Sequence, residues 1–141
     1  MRFWDTSALV ALLVAERQTA RVERWLREDA GVVVWTLTRV ELLSALARRR
    51  RLEPAAARRL QGARRELLAA WERWSEVTAT DLVRRHAERL VETHPLKAAD
   101  ALQIGAAIVA AEDDPTDLDF VTFDRQQAVA AEREGFRVLG P

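Results

Sequence analysis

The sequence Arg2-Phe3-Trp4-Asp5-Thr6-Ser7 joins a short apolar run to an acidic residue and two hydroxyl residues. Asp, Thr and Ser are favoured at helix N-caps, so this stretch predicts a strand over 2–5 and a helix over 7–14. The runs 32–35 and 120–123 have the β-branched and aromatic composition of two further buried strands. A strand followed at once by a helix is the repeating unit of α/β proteins.

Segments with helical periodicity separate these strands along the rest of the chain. Predicted helices span 18–28, 39–51, 54–73, 81–92, 95–111 and 124–133, and weaker strands span 75–78 and 136–139. This alternation predicts an α/β fold with a central, mostly parallel sheet of four to five strands and helices on both faces. The helices 39–51 and 54–73 are predicted to form an α-hairpin. No linker interrupts the chain, so we expect a single domain over 1–141.

The composition excludes several classes of protein. Apolar residues make up 49% and charged residues 31%, as in globular proteins. The 22 basic and 22 acidic residues balance, which excludes a generic polyanion binder. There is no cysteine, which excludes disulfides, thiolate metal sites and cysteine nucleophiles. No secretory signal or membrane-spanning stretch is visible, so we expect a cytoplasmic protein without membrane contact.

Four acidic residues, Asp5, Glu41, Asp100 and Asp124, each lie at or just inside the start of a predicted helix. In an open α/β sheet the strand ends where helices begin share one edge, and ligands bind there. We therefore expect the four carboxylates to meet in one cleft. Two carboxylates about 4 Å apart repel by roughly 4 kcal/mol at an effective dielectric of 20. A cation or a shared proton is therefore expected in the site.

Each of these acids also has a purely structural interpretation. Asp5 can cap the helix that follows it, and Asp124 can cap the last helix. Thr38 and Glu41 match the spacing of a capping box, and the macrodipole favours Asp100 near a helix start. Apolar residues surround Asp100 in sequence, and a buried carboxylate without a partner neutralises or binds a cation. This setting favours the joint interpretation as a metal site.

Four short motifs, taken in order, resemble those of the PIN-domain ribonucleases, and the chain length and spacing resemble the VapC-type toxins of toxin–antitoxin pairs. The motifs are Phe3-Trp4-Asp5-Thr6-Ser7, Thr38-Arg39-Val40-Glu41-Leu42, Leu96-Lys97-Ala98-Ala99-Asp100-Ala101-Leu102 and Val121-Thr122-Phe123-Asp124. The resemblance implies a PIN-like three-layer αβα sandwich. It also implies a Mg²⁺- or Mn²⁺-dependent endoribonuclease that cleaves single-stranded or looped RNA with a metal-activated water. A cognate small antitoxin would neutralise the enzyme, and a homodimer is expected.

The resemblance assigns roles to the four acids. Asp5 and Asp100 are interpreted as the primary metal ligands. Glu41 and Asp124 are interpreted as secondary ligands that act directly or through water. All-oxygen ligands suit Mg²⁺ or Mn²⁺, which bind a few carboxylates and keep several waters.

Neighbouring residues complete this hypothesis. Ser7 and Thr122 are auxiliary candidates that can donate hydrogen bonds to a carboxylate or a phosphate. Asp117 and Asp119 lie close to Asp124 in sequence and are alternatives for the fourth acid, although both also fit solvated loop charges.

The arginine run Arg48, Arg49, Arg50 and Arg51 lies at the end of the first hairpin helix. It is a candidate RNA-binding surface, because phosphate contacts supply most non-specific affinity for nucleic acids. A solvated helix face and a groove for an antitoxin segment are the alternatives.

The aromatic and histidine residues favour structural roles. The five tryptophans are expected in the core or at a subunit contact, with Trp71 and Trp74 on one side of their helix. His86 and His94 are predicted at the surface or at helix ends. Neither has a second histidine at ligand spacing, which argues against a zinc site.

Two other functions use the same first strand. A non-catalytic PIN-like binding module would keep the fold without the chemistry. An aspartyl-phosphate phosphatase would use Asp5 as nucleophile, but that chemistry normally needs a second acid two residues later, where this chain has Ser7.

Overall fold

The central element of the computed structural model, which describes residues 1–141, is a sheet of five parallel strands. The strands are β1 (Arg2–Trp4), β2 (Val32–Trp35), β3 (Ser75–Val77), β4 (Asp119–Val121) and β5 (Val138–Leu139), in the spatial order β3-β2-β1-β4-β5. In the middle of the sheet, Phe3 of β1 lies beside Val33 on one side and Phe120 on the other. The predicted α/β class and parallel sheet are confirmed.

Seven α-helices connect and cover the strands. They are α1 (Thr6–Leu13), α2 (Thr19–Glu28), α3 (Thr38–Leu52), α4 (Ala57–Trp71), α5 (Thr80–Thr93), α6 (Ala98–Ala110) and α7 (Arg125–Arg133). Short 3₁₀ turns at Pro54–Ala56 and Pro115–Asp117 precede α4 and β4. The predicted α-hairpin is α3 and α4. None of the helices combines the length and the apolar character needed to cross a bilayer.

Both faces of the central strands β1 and β2 are buried, and successive strand residues point to opposite sides. Phe3 and Trp35 join one core cluster with α5, α6 and α7. Trp4 and Val34 join a second cluster with α1, α2, α3 and α4. Strands covered on both faces appear in sequence as continuous apolar runs, which explains the short apolar strands of this chain. The expected three-layer αβα sandwich is confirmed.

The start of α6 differs from the sequence prediction. The helix begins at Ala98, three residues after Pro95, and Pro95 is not a first-turn residue. His94 precedes the proline and is extended, with φ −128° and ψ 151°. A residue before proline is restricted to this region of φ/ψ space. The connection between α5 and α6 is therefore a short non-helical segment, in which the Leu96 backbone N donates to the His94 carbonyl at 2.8 Å.

Histidine and tryptophan positions partly match the prediction. His94 lies at the end of α5 as expected, but it is buried, and its Nε2 lies 2.7 Å from a Glu134 oxygen. Of the two predicted positions for His94, the helix end is therefore confirmed and the surface is not. Four of the five tryptophans are core residues, as predicted: Trp4, Trp25, Trp35 and Trp71.

Candidate functional site

A cleft of about 440 Å³ opens at the carboxyl edge of the sheet, where β1 and β4 lie side by side. Asp5 directly follows β1, and Asp124 follows β4 by three residues. The chain leaves β1 toward β2 on one side and leaves β4 toward β5 on the other. This is the switch point of the sheet, where open α/β folds form a ligand crevice. Asp100 also lines the cleft.

Asp5 is buried and held by four donors. Its Oδ2 accepts hydrogen bonds from the Ser7 backbone N at 2.9 Å and from Ser7 Oγ at 2.6 Å. Thr122 Oγ1 lies 3.2 Å from the same oxygen, and Gln127 Nε2 donates to Asp5 Oδ1 at 3.2 Å. The structural interpretation of Asp5 as the N-cap of α1 is confirmed. The same contacts orient the carboxylate at the cleft.

Ser7 and Thr122 join the ends of β1 and β4. Their hydroxyl oxygens lie 3.3 Å apart, and Ser7 Oγ accepts a hydrogen bond from the Phe123 backbone N at 2.8 Å. Thr122 Oγ1 accepts from the Asp124 backbone N at 3.0 Å. Asp124 in turn caps α7, because its Oδ1 accepts from the Gln127 backbone N at 2.8 Å. The loop carrying Asp124 is thus tied to the loop carrying Asp5.

Glu41 does not form the capping box that its spacing suggested. The N-cap of α3 is Leu37, which has helical φ and ψ and makes no side-chain hydrogen bond to the helix start. Thr38 is instead buried inside the first turn, where its Oγ1 accepts from Gln103 Nε2 at 2.9 Å. Glu41 Oε2 accepts hydrogen bonds from Thr6 Oγ1 and, at 2.9 Å, from Gln103 Nε2. Glu41 therefore contacts the first residue of α1 and Gln103 of α6, and not its own helix start.

Gln103 is a site residue that the sequence did not reveal. It is 1% exposed and lies three residues after Asp100, on the same side of α6. Besides Thr38 and Glu41, its Nε2 lies 3.0 Å from Thr6 Oγ1. The signal in the sequence was a lone amide in a helix that is apolar apart from Asp100, because a buried polar side chain needs partners.

The four acids influence one another electrostatically. Burial raises the pKa of Asp100, and the charges of Asp124 and Asp5 raise it further. Glu41 also raises the pKa of Asp100, whereas Lys97 lowers it. Burial likewise raises the pKa of Glu41, and the hydrogen bonds that it accepts only partly oppose this. Glu41 does not line the cleft, but the charges of Glu41, Asp5 and Asp124 all reach Asp100.

These shifts predict a pH-dependent stability difference. An acid whose pKa is raised on folding binds more protons in the folded protein than in the unfolded chain, so stability falls as pH rises from its ordinary pKa through the raised value. The lowered pKa of Asp119 and Glu134 acts in the opposite sense. The informative quantity is therefore the difference between wild type and Asp100→Asn.

In metal-free buffer, we expect Asp100→Asn to be more stable than the wild type at pH values above the raised pKa of Asp100. The difference should be about 1 kcal/mol or less, because Asp100 is only half-buried. Below the ordinary pKa of an aspartate the two proteins should be equally stable. Urea unfolding from about pH 4 to 7 measures this difference. Parallel curves for the two proteins would show that Asp100 carries no unfavourable charge.

The residues of the cleft fit a hard divalent cation. Every candidate donor is an oxygen, which suits Mg²⁺ or Mn²⁺. Asp124 uses only Oδ1 for its cap, which leaves its Oδ2 available to a cation. No hydrogen bond lowers the pKa of Asp100, so its carboxylate is available as well. No three of the His, Cys, Asp and Glu side chains converge as a complete ligand set. Mg²⁺ does not require one, because it is usually held by one or two carboxylates and completes its shell with waters.

Two of the four predicted RNA-binding arginines reach this cleft. Arg48 and Arg49 line it from α3, and Arg49 forms an ion pair with Glu16, which also lines it. Arg50 points instead into the groove between α3 and α4. Arg51 does not line the cleft and is exposed.

Asp117 and Asp119 do not reach the acids. Asp119 begins β4, at the edge of the sheet opposite to Asp124. It is not the solvated loop charge that the sequence suggested, because it accepts hydrogen bonds from Arg2 at 3.2 Å and from Arg137 at 2.5 and 2.7 Å. The Arg137 hydrogen bonds hold the pKa of Asp119 below its usual range. Asp117 is an exposed residue of the turn before β4.

Three solved structures share this architecture. Pyrobaculum aerophilum PAE2754 is 24% identical, with 99% of this chain and 82% of that chain covered at a TM-score of 0.61. Mycobacterium tuberculosis VapC20, a toxin that cleaves the sarcin-ricin loop, is 23% identical, with 96% of both chains covered at a TM-score of 0.64. Neisseria gonorrhoeae FitAcB is 20% identical, with 99% and 96% covered at a TM-score of 0.63. At these identities the likeness concerns the fold.

Sequence comparison gives the family. No curated protein matches the chain. The family model of the PIN domain matches residues 2–133, a range that contains Asp5, Glu41, Asp100 and Asp124. The chain belongs to the PIN domain family.

Proposed function

We propose that this protein is a Mg²⁺- or Mn²⁺-dependent endoribonuclease that cleaves single-stranded or looped RNA. The observation that carries the proposal is the coupling of Asp100 to Asp5, Asp124 and Glu41, whose charges all raise its pKa. Asp5, Asp100 and Asp124 also line one cleft, and acids that raise the pKa of Asp100 in this way favour a divalent cation beside it. Membership of the PIN domain family supports the same chemistry.

The proposed roles follow from how each acid is held. Asp5, fixed by four donors, and Asp100, with no such donor, would be the primary ligands. Glu41 and Asp124 would bind directly or through water. When bound, the ion would act as a Lewis acid toward the phosphate and lower the pKa of a water. Ser7 and Thr122 would hold the Asp5 carboxylate in place.

The opposite wall of the cleft would receive the RNA backbone. Arg48 is exposed and lines the cleft together with the acids. Arginine recognises phosphate through its planar, forked donors. We infer that Arg48 draws a backbone phosphate toward the acids, and that Arg49 contributes when its pair with Glu16 opens.

The phosphatase alternative has less support. The residue two positions after Asp5, Ser7, donates to Asp5 and has no acidic group. A non-catalytic binding module would keep the cleft but show no metal-dependent cleavage, so a cleavage assay separates it from the nuclease.

The proposal extends to a toxin–antitoxin role. VapC20, which has the same fold, is a toxin that cleaves an RNA loop. We infer that the present protein is likewise a toxin, neutralised by a small antitoxin. Each copy would be a single domain over 1–141, and the protein would act as a cytoplasmic homodimer. Expression alone should arrest growth, and co-expression of the antitoxin should restore it.

The test of the proposed function is cleavage of single-stranded RNA by the purified protein. We expect cleavage with Mg²⁺ or Mn²⁺ and none after EDTA treatment, because the acids alone repel the phosphate backbone. Cleavage that persists in EDTA would contradict a metal-dependent mechanism. RNA binding without cleavage under any metal condition would favour the binding module.

Neutralising the cleft arginines is expected to weaken RNA binding. The double variant Arg48→Gln/Arg49→Gln should reduce the slope of log affinity against log salt by about 0.7 for each phosphate that the variant no longer binds. The matched control is Arg50→Gln/Arg51→Gln, which removes the same charge from residues outside the cleft. Fluorescence anisotropy with single-stranded RNA measures both slopes. Equal slopes for the two double variants would show that cleft position does not matter for binding.

A further inference from the structure

A second hollow, of about 330 Å³, lies beside α7. His94 and Pro95 of the α5–α6 connection form one wall. Arg125, Val129 and Arg133 of α7 form the other. The α5–α6 connection leads into α6, which carries Asp100, and α7 is capped by Asp124. The hollow is therefore bounded by elements next to two of the cleft acids.

The hollow carries positive charge that the protein does not neutralise. Arg125 and Arg133 are exposed and form no ion pair with any carboxylate of the chain. The nearby Arg89 differs, because its guanidinium is paired with Glu134 at 2.6 Å. Arg133 lies eight positions after Arg125, or about 12 Å further along the helix. The two guanidinium groups can thus contact different positions along an extended ligand.

His94 adds a polar group to the opposite wall. It is 7% exposed, and its Nε2 is engaged by Glu134 at 2.7 Å. Its Nδ1 is buried and has no hydrogen-bond partner in the protein. Glu134, which contacts this wall through His94, is also paired with Arg89. The unpaired charge that remains at the hollow belongs to the two arginines.

The hollow adjoins the acidic cleft along the chain, because Asp124 lines the cleft and Arg125 lines the hollow. Arg125 directly follows Asp124, and Pro95 lies five residues before Asp100. The charge of Asp124 raises the pKa of Asp100, so the two acids lie within electrostatic range of each other. A strand held at the acids can therefore pass along α7 into the hollow.

We propose that this hollow is a second phosphate subsite, which binds the RNA backbone beyond the cleavage point. This inference rests on the proposed ribonuclease function. Arg125 and Arg133 supply forked donors that match phosphate oxygens. Val129, which is 48% exposed between them, provides an apolar contact for a sugar or a base. The two unpaired guanidinium groups complement the charge of a polyanionic strand, which favours RNA over a protein segment as the occupant.

The test is the salt dependence of RNA binding by Arg125→Gln/Arg133→Gln. Fluorescence anisotropy in EDTA with a long single-stranded RNA separates binding from cleavage. We expect the slope of log affinity against log salt to fall by about 1.4, since each phosphate contact to a single strand contributes about 0.7. The control Arg24→Gln/Arg27→Gln removes the same charge from exposed positions of α2, in the opposite helix layer, and should keep the wild-type slope.

The outcomes distinguish the subsite from the proposed function. An unchanged slope in Arg125→Gln/Arg133→Gln overturns the subsite, even if the wild-type protein cleaves RNA. A reduced slope together with no cleavage in Mg²⁺ or Mn²⁺ overturns the ribonuclease function and supports RNA binding at α7. A variant that keeps its RNA affinity but no longer binds an acidic partner protein would also overturn the subsite, because the surface would then bind protein.

Discussion

Asp5→Asn and Asp100→Asn are each expected to reduce metal-dependent RNA cleavage at least about a hundredfold. Loss of a residue that merely orients a metal ligand typically costs 10- to 100-fold, so loss of the charge on a ligand itself should reach or exceed that range. Asparagine preserves the size of the side chain, so the fold should remain. Initial cleavage rates at saturating Mn²⁺, with circular dichroism as a check on folding, measure the effect.

The control for these variants is Asp117→Asn. It removes the same charge from an exposed turn at the far edge of the sheet and should keep wild-type activity. Asparagine is also a good N-cap, so Asp5→Asn should retain the start of α1. Full Mn²⁺-dependent activity in either cleft variant would remove that residue from the site.

Gln103→Leu is expected to reduce both activity and stability. Its amide holds Glu41 at 2.9 Å and also lies 2.9 Å from the buried Thr38. Leucine leaves Thr38 without this donor, which should cost about 1–3 kcal/mol of unfolding free energy. Glu41 loses one of its two donors, and we expect a 10- to 100-fold loss of activity, roughly the range for residues that orient metal ligands.

A measurement on metal response separates positioning by Gln103 from a general loss of stability. If Gln103 orients Glu41, the Mn²⁺ concentration for half-maximal cleavage should rise in Gln103→Leu at a temperature where the variant is folded. Gln61→Leu replaces an exposed glutamine of α4 and is the matched control. It should keep the wild-type Mn²⁺ midpoint and the wild-type stability. A Gln103→Leu protein with an unchanged Mn²⁺ midpoint would reduce Gln103 to a purely structural residue.

The parts of the fold and site that the sequence predicted are those governed by local rules. Val32–Trp35 was predicted with its observed bounds, because a short β-branched run between helical segments has few other interpretations. The gathering of Asp5 and Asp124 follows from the position of each acid after a strand, since parallel strands end at one edge. Their caps were predictable for the same reason.

The parts that the sequence did not predict depend on contacts between distant segments. Thr38 and Glu41 have the spacing of a capping box, but Gln103 reaches both from α6 and replaces that local arrangement. His94 is buried because Glu134, 40 residues away, supplies its partner. Asp119 was placed in a loop because its ion pairs with Arg2 and Arg137 form only across the assembled sheet. Local patterns cannot specify such pairs.

X-ray diffraction at the manganese absorption edge, from crystals grown with Mn²⁺, tests the proposed metal site most directly. We expect anomalous density in the cleft within coordination distance of Asp5 and Asp100 oxygens, with Glu41 and Asp124 bound directly or through water. The same experiment on Asp100→Asn should show weaker density or none. Absence of manganese from the wild-type cleft at concentrations that support cleavage, or density equally strong in Asp100→Asn, would contradict a metal site built on these acids.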